Sequence, residues 1–105
     1  METGGIALEK TALMSTEVAA FCSDILKAIG HPARLRIIDV LASGERNVSE
    51  MEEILGIKQA IISQQLKILR LSGLVRQERR NGHVYYSLAK PQIHELLGCI
   101  RRCHQ

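Results

Sequence analysis

Past Gly73 the spacing of apolar residues changes from about 3.6 to about 2, the signature of helix giving way to strand. The run Leu74 to Leu88 that follows is broken only by Arg80-Asn81-Gly82-His83. Asn-Gly at the two central positions of a turn is the strongest short hairpin signal, because both residues tolerate positive φ. That turn sets a register in which Arg79 faces Val84, Glu78 faces Tyr85 and Val75 faces Leu88. A single hairpin thus sits late in a chain whose other segments are all helical in pattern.

Four helices are expected before it. Ser15 or Thr16 can cap the first, with Glu17 favourable in its first turn and Gly30 as the usual stop. Its apolar stripe is Val18, Phe21, Cys22, Ile25, Leu26 and Ile29. His31-Pro32 restarts the chain, since proline at the first helical position loses no needed donor. Leu35, Ile37, Ile38, Leu41 and Ala42 make that second helix the most buried. Ser49-x-x-Glu52 fits a capping box, and Met51, Ile54 and Leu55 form the core face of a third helix ending at Gly56. After the short turn Ile57-Lys58-Gln59 comes the fourth, Lys58 to Arg70, with Ile62, Leu66 and Leu69 on one face and amide, hydroxyl and cationic groups on the other. Lys90-Pro91 opens a last helix with the stripe Ile93, Leu96, Leu97, Ile100 and Cys103.

The expected order is α-α-α-α-β-β-α: a mainly α winged helix-turn-helix with a β-hairpin wing. Residues 1–15 are expected to be a flexible tail, with a loose helical turn over Ile6–Met14, and residues 16–105 the DNA-binding and dimerisation domain. The first and last helices each keep an unassigned apolar stripe. A C2 dimer would bury them against each other and their copies; folding both back onto the monomer's own core is the alternative. With only three aromatic residues, Phe21, Tyr85 and Tyr86, the core must come from Ile, Leu and Val.

Net charge is +3, but its distribution is uneven. Met1 to Ile57 carries five Lys/Arg against nine Asp/Glu, whereas Lys58 to Lys90 carries seven against the single Glu78. Positive charge concentrated on a helix-turn-helix and its hairpin fits a phosphate backbone, through salt-sensitive counterion release. Double-stranded DNA is therefore the expected partner. Gln59, Ser63 and Gln64 at the start of the fourth helix are the expected base readers, since glutamine can bond bidentately to adenine and serine adapts to several bases. Lys58, Lys67 and Arg70 suit phosphates, which position without specifying. Arg79, Arg80 and His83 on the wing suit a flanking minor groove or backbone.

No run of about 18 apolar residues exists to span a membrane. Met1 to Met14 lacks the basic start and apolar core of a secretory signal. Three cysteines without an export signal make a reducing cytoplasm the default. An enzyme is not expected: there is no nucleophile elbow, phosphate-binding glycine loop or H-E-x-x-H, and the histidines are scattered. A winged-helix module that binds only protein remains a third class, against which the basic block argues.

Taken together, Leu26-Lys27-Ala28-Ile29-Gly30-His31-Pro32-Ala33-Arg34-Leu35-Arg36-Ile37-Ile38, Ile62-Ser63-Gln64-Gln65-Leu66-Lys67-Ile68-Leu69, Ser72-Gly73-Leu74-Val75 and the wing from Gly82 to Leu88 resemble the ArsR/SmtB family of bacterial winged-helix repressors. The resemblance covers nearly everything from Val18 to Cys103. It implies a homodimer that sits on an imperfectly palindromic operator, blocks transcription and leaves when an inducer binds. Lys58 departs from the Ser or Thr that more often caps the recognition helix in this family, which removes about 1 kcal/mol of capping but adds a charge suited to phosphate.

The resemblance also implies an input. The third-helix Cys-x-Cys of some metal and arsenite sensors is absent from Met51-Glu52-Glu53-Ile54-Leu55. The last-helix zinc-type site is poorly matched, with Lys90 and Gln92 where its first acid and histidine would stand. What remains is thiol. Cys99 and Cys103 are four residues apart, with Cβ atoms about 5–6 Å apart on one helical face. That is too far for the roughly 3.5–4.5 Å of a disulfide, but two thiolates can bridge a soft ion at about 2.3 Å each. With Cys22 from the first helix, and His104 as an additional ligand, they would suit As(III), Sb(III) or a soft divalent metal such as cadmium or zinc. Arg101 and Arg102 favour thiolate. No cofactor is obligatory. Redox or persulfide sensing by the same cysteines is a second reading, weakened because related redox sensors keep a cysteine where Asp39 stands. A purely structural role is the third.

Overall fold

A computed structural model describes residues 13–104. The expected tail and its loose helical turn fall mostly outside the described residues; of them only Leu13 to Ser15 are described, ahead of the first helix. The elements are α1 (Thr16–Ile29), α2 (Pro32–Ala42), α3 (Val48–Leu55), α4 (Gln59–Leu71), β1 (Val75–Arg80), β2 (His83–Leu88) and α5 (Gln92–Arg102). This is the order α-α-α-α-β-β-α.

Local chemistry accounts for the boundaries. The Val18 amide donates to Ser15 Oγ at 3.1 Å to start α1. At the head of α2, His31 Nδ1 accepts from the Ala33 amide at 3.1 Å, with Pro32 beside it. The capping box of α3 is formed by Asn47 and Glu50, not by Ser49 and Glu52. The Glu50 amide donates to Asn47 Oδ1 at 2.8 Å and the Asn47 amide to Glu50 Oε1 at 2.9 Å. Asparagine is at least as strong a cap as serine, and Glu50 stands three residues after it just as Glu52 does after Ser49; the helix begins at Val48 and takes Ser49 inside. Gly56 ends α3 in the left-handed region at φ 69°. Gly30 ends α1 differently, at φ −78°. Glycine matters there for close approach, because a Cβ would lie 3.0 Å from the Leu26 carbonyl oxygen.

The core joins Ile37, Ile38 and Leu41 of α2, Met51 and Leu55 of α3, Ile62, Leu66 and Leu69 of α4, and Leu74 and Val75 at the foot of the hairpin. Ile54, expected in the core, is 52% exposed. In an eight-residue helix, Met51 and Leu55 at i and i+4 already fill the inward face. Leu35 is likewise turned outward on α2.

The hairpin has the expected register, Val75 with Leu88 through Arg79 with Val84. Asn81 at φ 51° and Gly82 at φ 80° supply the positive-φ pair. A two-stranded ribbon is marginal alone, and this one is fastened at its base. Arg46, between α2 and α3, exchanges backbone hydrogen bonds with Tyr86 at 3.1 and 2.8 Å.

Neither terminal helix keeps its whole stripe free. Ala28 and Ile29 of α1 and Ile93 and Leu97 of α5 are buried in the chain's own core, with α5 lying against α2. Val18, Phe21 and Leu26 of α1 and Ile100 of α5 stay exposed. Each stripe is therefore split between the monomer core and an outer apolar face.

Candidate nucleic-acid interface

Ile62, Leu66 and Leu69 seat α4 in the core and orient everything else on it. Three apolar side chains at helical spacing, each at most 1% exposed, leave the opposite side to Ser63, Gln64 and Lys67, all exposed. Lys58 precedes the helix as its N-cap and, among the described residues, makes no side-chain capping bond. Lys58 is exposed and stands at a helix N-terminus whose first amides have no side-chain cap, a combination suited to an anion. Arg70 lies exposed in the last turn.

Gln59 is placed differently from the other expected base readers. Its amide nitrogen donates to Glu52 Oε1 at 2.8 Å and lies 3.4 Å from Ser49 Oγ. The first residue of α4 is thus tied to α3, setting the angle between the two helices of the motif. A second tie comes from Arg34, whose Nε donates to the Ala28 carbonyl at 2.6 Å and whose Nη1 donates to Gln65 Oε1 at 3.0 Å. One side chain of α2 so links the end of α1 to the middle of α4. Sequence reading missed Arg34 because its partners are 6 and 31 residues away.

On the wing, Arg79 and His83 are exposed. Arg80 is engaged within the chain: it pairs with Glu45, lies 3.7 Å from Glu78, and stacks 4.5 Å from the centre of the Tyr85 ring. Its hydrogen bond to Glu45 holds the guanidinium pKa above the usual arginine value.

The cysteines lie outside these elements: Cys22 on α1, Cys99 within α5 and Cys103 at its C-cap. Cys22 is half-buried in an apolar groove of about 310 Å³ between the two helices, with Ile25, Leu26, Ile93 and Leu96. Cys99 and Cys103 are exposed, and Cys103 Sγ is 3.8 Å from the Cys99 carbonyl oxygen. Arg102 donates to Cys99 Sγ at 3.3 Å, whereas Arg101 pairs with Asp39 on α2. His104 is exposed beyond the helix. Among the described residues of one chain, no three His, Cys, Asp or Glu side chains gather as metal ligands.

Residues 31–77 match the model of the bacterial regulatory protein, arsR family. A biofilm growth-associated repressor of Agrobacterium fabrum is 38% identical over 100 residues, 95% of this chain and 82% of that one. The crystal structure of the transcriptional repressor BigR from Xylella fastidiosa superposes with a TM-score of 0.77 at 33% identity, covering 86% of this chain and 96% of that one. The homodimeric winged helix-turn-helix DNA-binding domain of Mb0332 from Mycobacterium bovis gives 0.71 at 29% identity, covering 89% of each. With its helix-turn-helix, basic wing and these likenesses, the chain belongs to the ArsR family of bacterial transcriptional regulators, DNA-binding proteins of the winged-helix fold.

Proposed function

We propose that the protein is a homodimeric, sequence-specific repressor that leaves its operator when its cysteine thiolates react or bind a soft metalloid or metal. The observation that carries the DNA half is the outward face of α4, polar and cationic, beside a wing rich in arginine. Ser63 and Gln64 read base edges, and Lys58, Lys67 and Arg70 hold phosphates. Arg79, Arg80 and His83 follow the flanking backbone or minor groove, and Gln59, braced on α3, fixes the pitch of the first turn. In a dimer the two copies of α4 enter successive major grooves about 34 Å apart. Exposed Val18, Phe21, Leu26 and Ile100 support that dimer, since each would be removed from water. A salt-sensitive shift of a palindromic duplex tests this reading; a winged-helix module that binds only protein would give none.

For the input, Cys22, Cys99 and Cys103 stand free, which suits a reducing cytoplasm. A three-thiolate site for As(III), Sb(III), cadmium or zinc would have to draw donors from both protomers or from a rearranged α5, with His104 within reach of the same end. Reactive-sulfur or peroxide chemistry is the second reading, favoured by the exposure of Cys99 and its contact with Arg102. The deciding experiment compares operator release by arsenite, zinc, cadmium, persulfide and peroxide in the parent and in Cys22→Ser, Cys99→Ser and Cys103→Ser. Three variants that all respond like the parent would remove the thiol input.

A further inference from the structure

With Gln59 held by Glu52, the centre of the reading face of α4 falls elsewhere. Residues follow one another at about 100° around a helix. Measured from the buried line Ile62, Leu66 and Leu69, the positions pointing directly outward are Ala60, Gln64, Lys67 and Leu71, all exposed. Ala60 and Gln64 are one turn apart and the nearest of these to the helix N-terminus, the end that meets base edges in a helix-turn-helix. Ile61 sits beside Ala60, 44% exposed, on the flank away from Gln59. An exposed Ile in the first turn of a short polar-faced helix gains nothing from water and has no part in the core.

We propose that Ala60, with Ile61 beside it, contacts thymine C5 methyl groups in the major groove, so that the half-site places thymine under Ala60 next to the base read by Gln64. The proposal rests on the DNA-reading role of α4 and adds its chemical preference. Three properties support it. The methyl of alanine is one of the few side-chain groups matched to the apolar thymine methyl. Its small size lets the helix axis approach the base edges closely enough for the shorter reach of Ser63. And a glutamine one turn further on is suited to adenine, so the two positions together favour A·T pairs of defined polarity. The exposed cations Lys58, ahead of the helix, and Lys67, one turn past Gln64, add charge for phosphates at the two ends of this face.

The test begins with a duplex selected by the full-length protein from a randomised library. Each thymine of that duplex is then replaced by deoxyuridine, which removes only the C5 methyl. We expect one or two thymines per half-site whose replacement weakens binding by about fourfold each, the value of one buried methyl-sized group. In Ala60→Gly the replacement of the thymine under Ala60 should cost nothing further, and in Ile61→Ala the same should hold for a second thymine, met by Ile61. Ala60→Ser, which keeps the size and helical tolerance of the residue, should broaden the preference at that base pair without losing affinity for phosphate. Deoxyuridine duplexes that bind the parent as well as thymine duplexes would overturn the proposal. So would a loss that persists undiminished in Ala60→Gly, Ile61→Ala and Ala60→Ser. A library that yields no enriched sequence would instead overturn the DNA-reading role itself.

Discussion

The Gln59 amide nitrogen lies 2.8 Å from Glu52 Oε1, so the recognition helix is fastened to its neighbour by the first side chain it contains. Lys58 provides no side-chain cap among the described residues, and the brace from α3 takes over the task of holding that end. Gln59→Ala should therefore lower stability by about 0.5–1.5 kcal/mol, the net worth of one hydrogen bond, while leaving the ranking of operator sequences intact. Urea titration and competition binding on a panel of duplexes measure the two effects separately.

Gln64→Ala should do the reverse. Its side chain is exposed and lies on the outward face, so stability should change by less than about 0.5 kcal/mol. Preference at one base pair of each half-site should relax by the roughly 1–3 kcal/mol of a bidentate contact. Equal losses on selected and random duplexes would show that the residue does not read sequence.

Arg80 carries a built-in competitor. Because Glu45 pairs with it, a phosphate competes with a carboxylate for the guanidinium. Glu45→Gln should then tighten binding to every duplex alike, by about two- to fivefold, the scale of an exposed ion pair. Arg80→Ala should weaken every duplex alike and flatten the salt dependence by about one unit of slope. Affinity measured over a salt series distinguishes them, and an unchanged slope in Arg80→Ala would remove the wing arginine from the interface.

The outer halves of the terminal stripes give a prediction about assembly. Phe21→Glu and Ile100→Glu place a charge on exposed positions, so the monomer fold should survive in both. Sedimentation velocity should show monomers, and binding to a two-half-site duplex should fall about a hundredfold as the avidity of two linked heads is lost. A stable dimer in both variants would put the subunit interface elsewhere.

Burial separates two residues that share an apolar pattern. Leu66 is 1% exposed and Ile54 is 52% exposed. Leu66→Ala should cost about 2–5 kcal/mol through lost burial and the cavity left behind, whereas Ile54→Ala should remain within about 0.5 kcal/mol. Chemical denaturation of the two variants side by side provides the comparison.

Local sequence determined what depends on neighbouring residues. Asn81-Gly82 is legible because positive φ at two successive positions is a property of those residues, and the hairpin register follows from it. The seat of α4 is legible because Ile62, Leu66 and Leu69 repeat at helical spacing, and the order of the elements follows from the same periodicity and its stop signals. Even local chemistry was misread where two caps competed, Asn47 with Glu50 against Ser49 with Glu52, since both fit the same pattern. Tertiary structure decided everything that depends on a partner far along the chain. Gln59 is turned toward Glu52, Arg80 is taken up by Glu45, Arg34 spans from Ala28 to Gln65, and each terminal stripe is divided between core and surface. An apolar or polar pattern says which face of an element seeks burial or water. Which neighbour meets that face is a matter of packing, and packing is set by the whole fold.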